Sequence, residues 1–214
     1  MTQHPSILEA FVKLGTFLSD YVEAKKNHRE LESPWELDLE QIVSRAKHHN
    51  GWFTEENMLF ALTSWSEQLT KDNLIKWLSN YDLSKNKPKK VAIIMAGNIP
   101  LVGFHDFLVT LITGNSVLAK LSSNDIHLLP FIARYLKHVE PSLEGKIEFT
   151  ESRLENFDVV IATGSDNTSR YFEHYFGKYP NIIRRNRNSV AVLTGNESKE
   201  QLTALGEDVF RYYG

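Results

Sequence analysis

Two hydrophobic periodicities divide this chain. Up to about residue 82, apolar side chains recur at helical spacing: Leu8, Phe11, Val12, Leu14, Phe17, Leu18, Tyr21 and Val22 fall along a first helix. Ser6-Ile7-Leu8-Glu9 has the form of a capping box, which predicts the start of that helix. Similar patterns predict helices over residues 37–49, 55–69 and 73–81, with Thr54 and Thr70 as N-caps. Residues 84–90 are polar and basic, and the residue before Pro88 is biased away from helix. They separate a helical region, residues 1–87, from a second unit, residues 88–214. There, short apolar runs alternate with helical stretches, and strands are predicted at 91–95, 116–121, 146–150, 157–163, 181–184 and 189–194. Continuous apolar runs mark strands covered on both faces, and their alternation with helices builds a mostly parallel, Rossmann-type sheet. The predicted class is α/β, with helices on both faces of that sheet.

The stretch from Val91 to Lys120 holds a strand, a tight turn, a helix and a second strand. Ala96-Gly97-Asn98 breaks the first strand without a proline or a charge, so a ligand can approach the backbone there. Pro100 is predicted in the first turn of the following helix, and Gly114-Asn115 supplies a left-handed stop. That places the turn at a helix N-terminus, where free amides attract anions. Right-handed crossovers put the loops after successive strands along one sheet edge. The loops at Asn98, Ser122 and Gly164 should therefore converge.

Composition narrows the function classes. The 214 residues carry 24 basic and 27 acidic side chains, a net charge of -3, which argues against a partner bound by neutralising many phosphates, so no nucleic acid is expected. No apolar run approaches the roughly 20 residues that cross a bilayer, and the N-terminus lacks the pattern of a signal peptide. The expected location is the cytoplasm, with no membrane span. There is no cysteine, which excludes disulfides, thiolate metal sites and a thiol nucleophile within these residues. His48-His49 lacks further ligands at metal spacing and reads as a helix C-terminal cap, so no metal site is predicted.

Asn98-Ile99-Pro100, Gly114-Asn115-Ser116-Val117 and Lys120-Leu121-Ser122 resemble, in order and spacing, the N-x-P, G-N-x-V and K-P-S signatures of the aldehyde dehydrogenase superfamily. Within it, the chain is similar to the LuxC-type acyl-CoA reductases, the fatty-acyl thioester reductases associated with bacterial bioluminescence. Asn50-Gly51-Trp52-Phe53-Thr54, Ala162-Thr163-Gly164-Ser165-Asp166 and Arg184-Arg185-Asn186-Arg187-Asn188-Ser189 also resemble that family, from about Trp35 onward. The resemblance implies an aldehyde-dehydrogenase-like fold, a nicotinamide cofactor and a fatty acyl-CoA or acyl-protein thioester as substrate. It implies a cysteine that carries the acyl group, in a G-x-G-C-like motif after the last matched helix. The sequence is accordingly expected to be the N-terminal part of a longer reductase and to be inactive alone. A homo-oligomer or a complex with acyl-transferring proteins is the expected assembly.

By this resemblance Asn98 is the catalytic amide that stabilises an oxyanion, a donor worth about 2.7–4 kcal/mol of barrier. The plain alternative is a turn residue that tolerates strained angles. Gly97, Lys120, Ser122, Ser123, Gly164 and Ser165 are the expected cofactor contacts. Lys120 is implied to reach the adenosine ribose. With no Asp or Glu between Ser116 and Ser123, and Ser122 and Ser123 beside it, NADPH is favoured over NADH. Its alternative is a strand-end lysine in solvent, and that of Ser165 is ordinary helix capping. Arg184 to Asn188 lies where hydrolytic relatives carry a water-activating glutamate. The missing carboxylate fits a thioester reductase, and the arginines would bind phosphates or form a solvated basic loop. His105-Asp106 is placed for acid/base work or for none. Trp52, Phe53, Trp65 and Trp77 read as core anchors or as walls of an acyl pocket. Two further functions stay open: a dinucleotide-binding or interaction module without catalysis, and another CoA-acylating aldehyde dehydrogenase.

Overall fold

Four helices precede the first strand in the computed structural model, which describes residues 4–186 and 188–212. They are α1 (Pro5–Lys26), α2 (Pro34–His49), α3 (Glu55–Gln68) and α4 (Lys71–Leu78). Thr54 and Thr70 cap α3 and α4 as predicted, each accepting from the backbone N–H three residues on. The first helix starts differently. Pro5 occupies its first turn and His4 its N-cap, so Ser6 lies inside the helix and makes no capping box. The working capping box belongs to α2, where Ser33 and Glu36 exchange hydrogen bonds around Pro34.

Beyond residue 88 follow β1 (Lys90–Ile94), α5 (Phe104–Ile112), β2 (Ser116–Lys120), α6 (Leu128–Val139), a 3-10 turn (Pro141–Leu143), β3 (Ile147–Phe149), β4 (Val159–Thr163), α7 (Asp166–Phe176), β5 (Asn181–Arg184) and α8 (Lys199–Phe210). The five strands form one parallel sheet in the order β3-β2-β1-β4-β5. The predicted α/β, Rossmann-like architecture is what the chain adopts.

Alternation along β1 assigns the two faces. Val91, Ile93 and Met95 join the main core with α5, α6 and the N-terminal helices, whereas Ala92 packs in a smaller cluster with Leu118, Leu154, Val160 and Ala162 under α7. The main cluster runs without a break across residue 87. Phe104 ties it together, touching Phe11 of α1 at 6.3 Å, Trp65 of α3 edge-on at 4.6 Å and Phe107 at 6.2 Å between ring centres. Phe53 is buried, and Trp65 and Trp77 are half-buried against this core, whereas Trp52 is 43 % exposed.

Two expectations fail for physical reasons. Helix α5 begins at Phe104 and not at Pro100, because Leu101 takes a left-handed backbone (φ 59°) that no α-helix accommodates. Asn98 therefore precedes a short irregular link, not a helix N-terminus. Its far end behaves as expected: Gly114 at φ 89° stops the helix, and the Asn115 amide returns to the Thr110 carbonyl. The strand predicted at 189–194 is absent. Val190 and Val192 are 91 % and 86 % exposed, and no strand pairs with them among the described residues. Apolar alternation makes a strand only where a neighbour supplies hydrogen bonds and packing.

Truncating Phe104 to Ala should cost about 3–5 kcal/mol in urea unfolding, since its ring is 1 % exposed. Val192→Ser should stay within about 0.5 kcal/mol. Equal costs would contradict this placement of the core.

Candidate functional site

The strand order reverses at β1, with β2 and β3 on one side and β4 and β5 on the other. Loops leaving β1 and β4 diverge at such a point and open a crevice at the carboxyl ends of the strands. A cavity of about 710 Å³ lies there, lined by Gly97 and Asn98 after β1, His105 and Asp106 of α5, Gly164 and Ser165 after β4, and Arg184 to Asn186 after β5. Asn98 is exposed, and no group among the described residues hydrogen-bonds its carboxamide. Two polarised N–H bonds are thus available to a ligand.

The turn that carries Asn98 is held from both sides. A Cβ on Gly97 would fall 2.5 Å from the Ser122 Cβ and 2.6 Å from its Oγ, so only glycine lets the β1 and β2 loops meet this closely. On the other side, Asn50 Nδ2 donates to the Gly97 carbonyl at 3.0 Å. The half-buried Asp125, whose N–H donates to the Ser122 carbonyl, turns its carboxylate inward to accept from the Leu101 and Leu128 amides.

Arg184 and Asp106 form a bidentate pair, Nη1 to Oδ2 at 2.5 Å and Nη2 to Oδ1 at 2.8 Å. Burial pushes the Asp106 carboxyl up, but the adjacent His105 imidazole and the Arg184 guanidinium outweigh it and hold the group below its ordinary value. Asp106 is therefore held in its ionised form against Arg184. Arg185 pairs with Glu173 of α7, and the Asn186 N–H donates to Asp166 Oδ1 at 3.2 Å. Arg184 is thus withdrawn from solvent and tied to Asp106, whereas Arg185 is exposed and paired with Glu173; Arg187 lies outside the described residues.

The expected cofactor residues divide into three places. Gly97, Gly164 and Ser165 share the Asn98 cavity, where Ser165 Oγ also caps α7 by accepting from the Thr168 N–H at 3.3 Å. Lys120 lines a separate groove of about 580 Å³ on the α7 side of the sheet, and its Nζ donates to the Ser152 carbonyl at 3.1 Å. Ser122 is turned to Gly97, and Ser123 is exposed and lines neither hollow. The Lys120 groove adds Arg153, Lys178, Tyr171 and Tyr175, which the sequence reading passed over. The signal for the two tyrosines was their four-residue spacing on α7, aligned with Phe172 and Phe176 one position on. No carboxylate lines this groove. No cluster of three or more potential metal ligands occurs among the described residues.

The model of the family described as "Acyl-CoA reductase (LuxC)" matches residues 7–213. The chain belongs to the LuxC acyl-CoA reductase family. A comparison with curated proteins found no match. Reductases of the LuxC family act on acyl thioesters with NAD(P)H; no cysteine occurs among the 214 residues of this chain. No helix among the described residues is long and apolar enough to cross a membrane.

Burial pushes the Asp125 carboxyl up to about 6, against the lowering effect of its two amide donors. A carboxyl with a raised folded-state value contributes stability that is full below its unfolded value and is lost as pH rises through about 6. The difference amounts to about 3 kcal/mol over the whole window, of which about 1.4 kcal/mol falls between pH 5 and pH 8. Urea midpoints measured at pH 5 and pH 8 should fall across this window in the wild type and less in Asp125→Asn. An identical fall in both would contradict the assignment.

Proposed function

We propose that this chain supplies the nicotinamide-binding half and the oxyanion donor of a LuxC-type acyl-CoA reductase that converts fatty acyl thioesters to aldehydes. The observation that carries the reading is the unpartnered Asn98 carboxamide facing Gly164 and Ser165 across the crevice where strand order reverses. The residues present fit a phosphorylated dinucleotide. Lys120, Arg153 and Lys178 offer three cations beside the Tyr171 and Tyr175 rings, in a groove without a carboxylate to repel a 2′-phosphate. This favours NADPH over NADH. A reduced nicotinamide bound along this edge supplies hydride to the acyl carbon.

When a thiolate adds to the acyl carbonyl, the C–S bond forms and the carbonyl π pair moves onto oxygen. Asn98 Nδ2 donates to that oxygen as its charge grows. Return of the pair expels the CoA thiolate and leaves the acyl group on the attacking sulfur. Hydride addition produces a second oxyanion at the same place, and its collapse releases aldehyde and thiolate. The thiol would come from residues outside this sequence, since none is present here. Among the described residues the one carboxylate lining the cavity, Asp106, is paired with Arg184, so no unpaired carboxylate stands there to activate water against the acyl group.

Calorimetric titration of the chain with NADPH and NADH tests the cofactor part. NADPH should bind more tightly, and Lys120→Ala should weaken NADPH about tenfold while changing NADH less. Equal losses would defeat the 2′-phosphate argument. In reductase that carries the thiol, Asn98→Ala should lower kcat by about 10²–10³. A loss below threefold would leave Asn98 a turn residue.

A further inference from the structure

Asn50-Gly51-Trp52-Phe53-Thr54 lies in the helical region, outside the cavity lining, and takes no part in the chemistry above. We infer that Asn50 is the positioning residue that fixes the Asn98 turn, so that the helical region sets the geometry of the candidate oxyanion donor. This inference rests on the role proposed for Asn98.

Every hydrogen-bonding group of Asn50 is used. Its N–H closes α2 on the Ala46 carbonyl at 3.0 Å, and its carbonyl accepts from the Phe53 N–H at 2.8 Å. Its Oδ1 accepts from the Trp52 N–H at 3.0 Å, and Nδ2 donates to the Gly97 carbonyl at 3.0 Å. Because Oδ1 is committed to a donor, the amide cannot be turned over without facing oxygen to oxygen at Gly97. The turn is itself supported: Asn57 Nδ2 donates to the Trp52 carbonyl at 3.1 Å, and the Asn57 N–H is received by the Thr54 cap at 3.2 Å. A continuous polar line thus runs from the start of α3 to the peptide just before Asn98.

The Asn98 turn needs this support. The ladder of β1 ends where the Met95 N–H meets the Lys120 carbonyl, and the next backbone bond within the link runs from Val102 to Ile99 at a long 3.4 Å. Between them, Asn50 supplies the hydrogen bond to the 96–98 backbone, while Ser122 presses on Gly97 from the other side. An oxyanion donor acts by being fixed before charge develops, so slack in this peptide would cost rate more than substrate affinity.

Hydrogen exchange of the wild type, Asn50→Ala and Asn50→Asp tests the clamp on the chain itself. Asn50→Asp keeps the acceptor for the Trp52 N–H and sets a carboxylate against the Gly97 carbonyl, so the 50–53 turn survives while the long-range bond is lost. The Met95 and Val102 amides, whose hydrogen bonds flank the 96–98 backbone, should exchange about tenfold faster in both variants, with core amides of β1 and β4 unchanged. Unchanged exchange at Met95 and Val102 would overturn the inference. In thiol-bearing reductase, both variants should lose kcat at constant KM for the acyl thioester, and unaltered kcat in an active enzyme would also overturn it. An inactive wild type would instead remove the function proposed for Asn98, with the exchange result still deciding the clamp.

Discussion

The fold's functional geometry depends on where β4 pairs. After β3 the chain has placed three strands in one direction, and the edge beyond β3 would be the nearest place for a fourth. It returns instead to the free side of β1, where Val91 to Ile94 register against Val159 to Ala162. The β1 and β4 loops then part instead of running alongside each other, and the crevice between them holds Asn98 and Gly164. Right-handed crossovers complete the arrangement: α5 and α6 fall on one face, α7 on the other. The α5/α6 face takes the helical region, which is how residues near position 50 come to touch the peptide before Asn98.

Charge in the crevice is arranged by burial and pairing. Asp106 would be the one anion facing a substrate there, and Arg184 converts it into half of a neutral, directional pair. Such pairs favour a fixed arrangement more than they favour stability. Asp125 behaves oppositely. Its burial outweighs its two amide donors and raises the carboxyl toward the neutral range. Asp106 and Asp125 thus carry opposite shifts: a guanidinium helps outweigh burial at the first, and two amide dipoles do not at the second.

Much of this was legible in the sequence. Five of six predicted strands form, because each apolar run has a neighbour to pair with, and of the signature segments those at Asn98 and Gly164 fell on loops that share one cavity. The sixth, at 189–194, had the right alternation and no partner among the described residues, a fact about tertiary context that no local pattern contains. Pro100 misled for a related reason: proline suits a first helical turn, but Leu101 is left-handed and delays the helix to Phe104. The basic run at 184–186 looked available in sequence because its carboxylate partners, Asp106 and Glu173, lie 78 and 12 residues away. Lys120 and Asn98 both emerged from signature matches, yet they open onto different hollows on either side of the β1–β2 edge.

Nuclear magnetic resonance of the amide-labelled chain during addition of NADPH measures the central claim most directly. The account predicts perturbations at Gly97, Gly164, Ser165 and the Asn98 side-chain amide, together with residues of the Lys120 groove. Saturable perturbations confined to surfaces away from both hollows would contradict it.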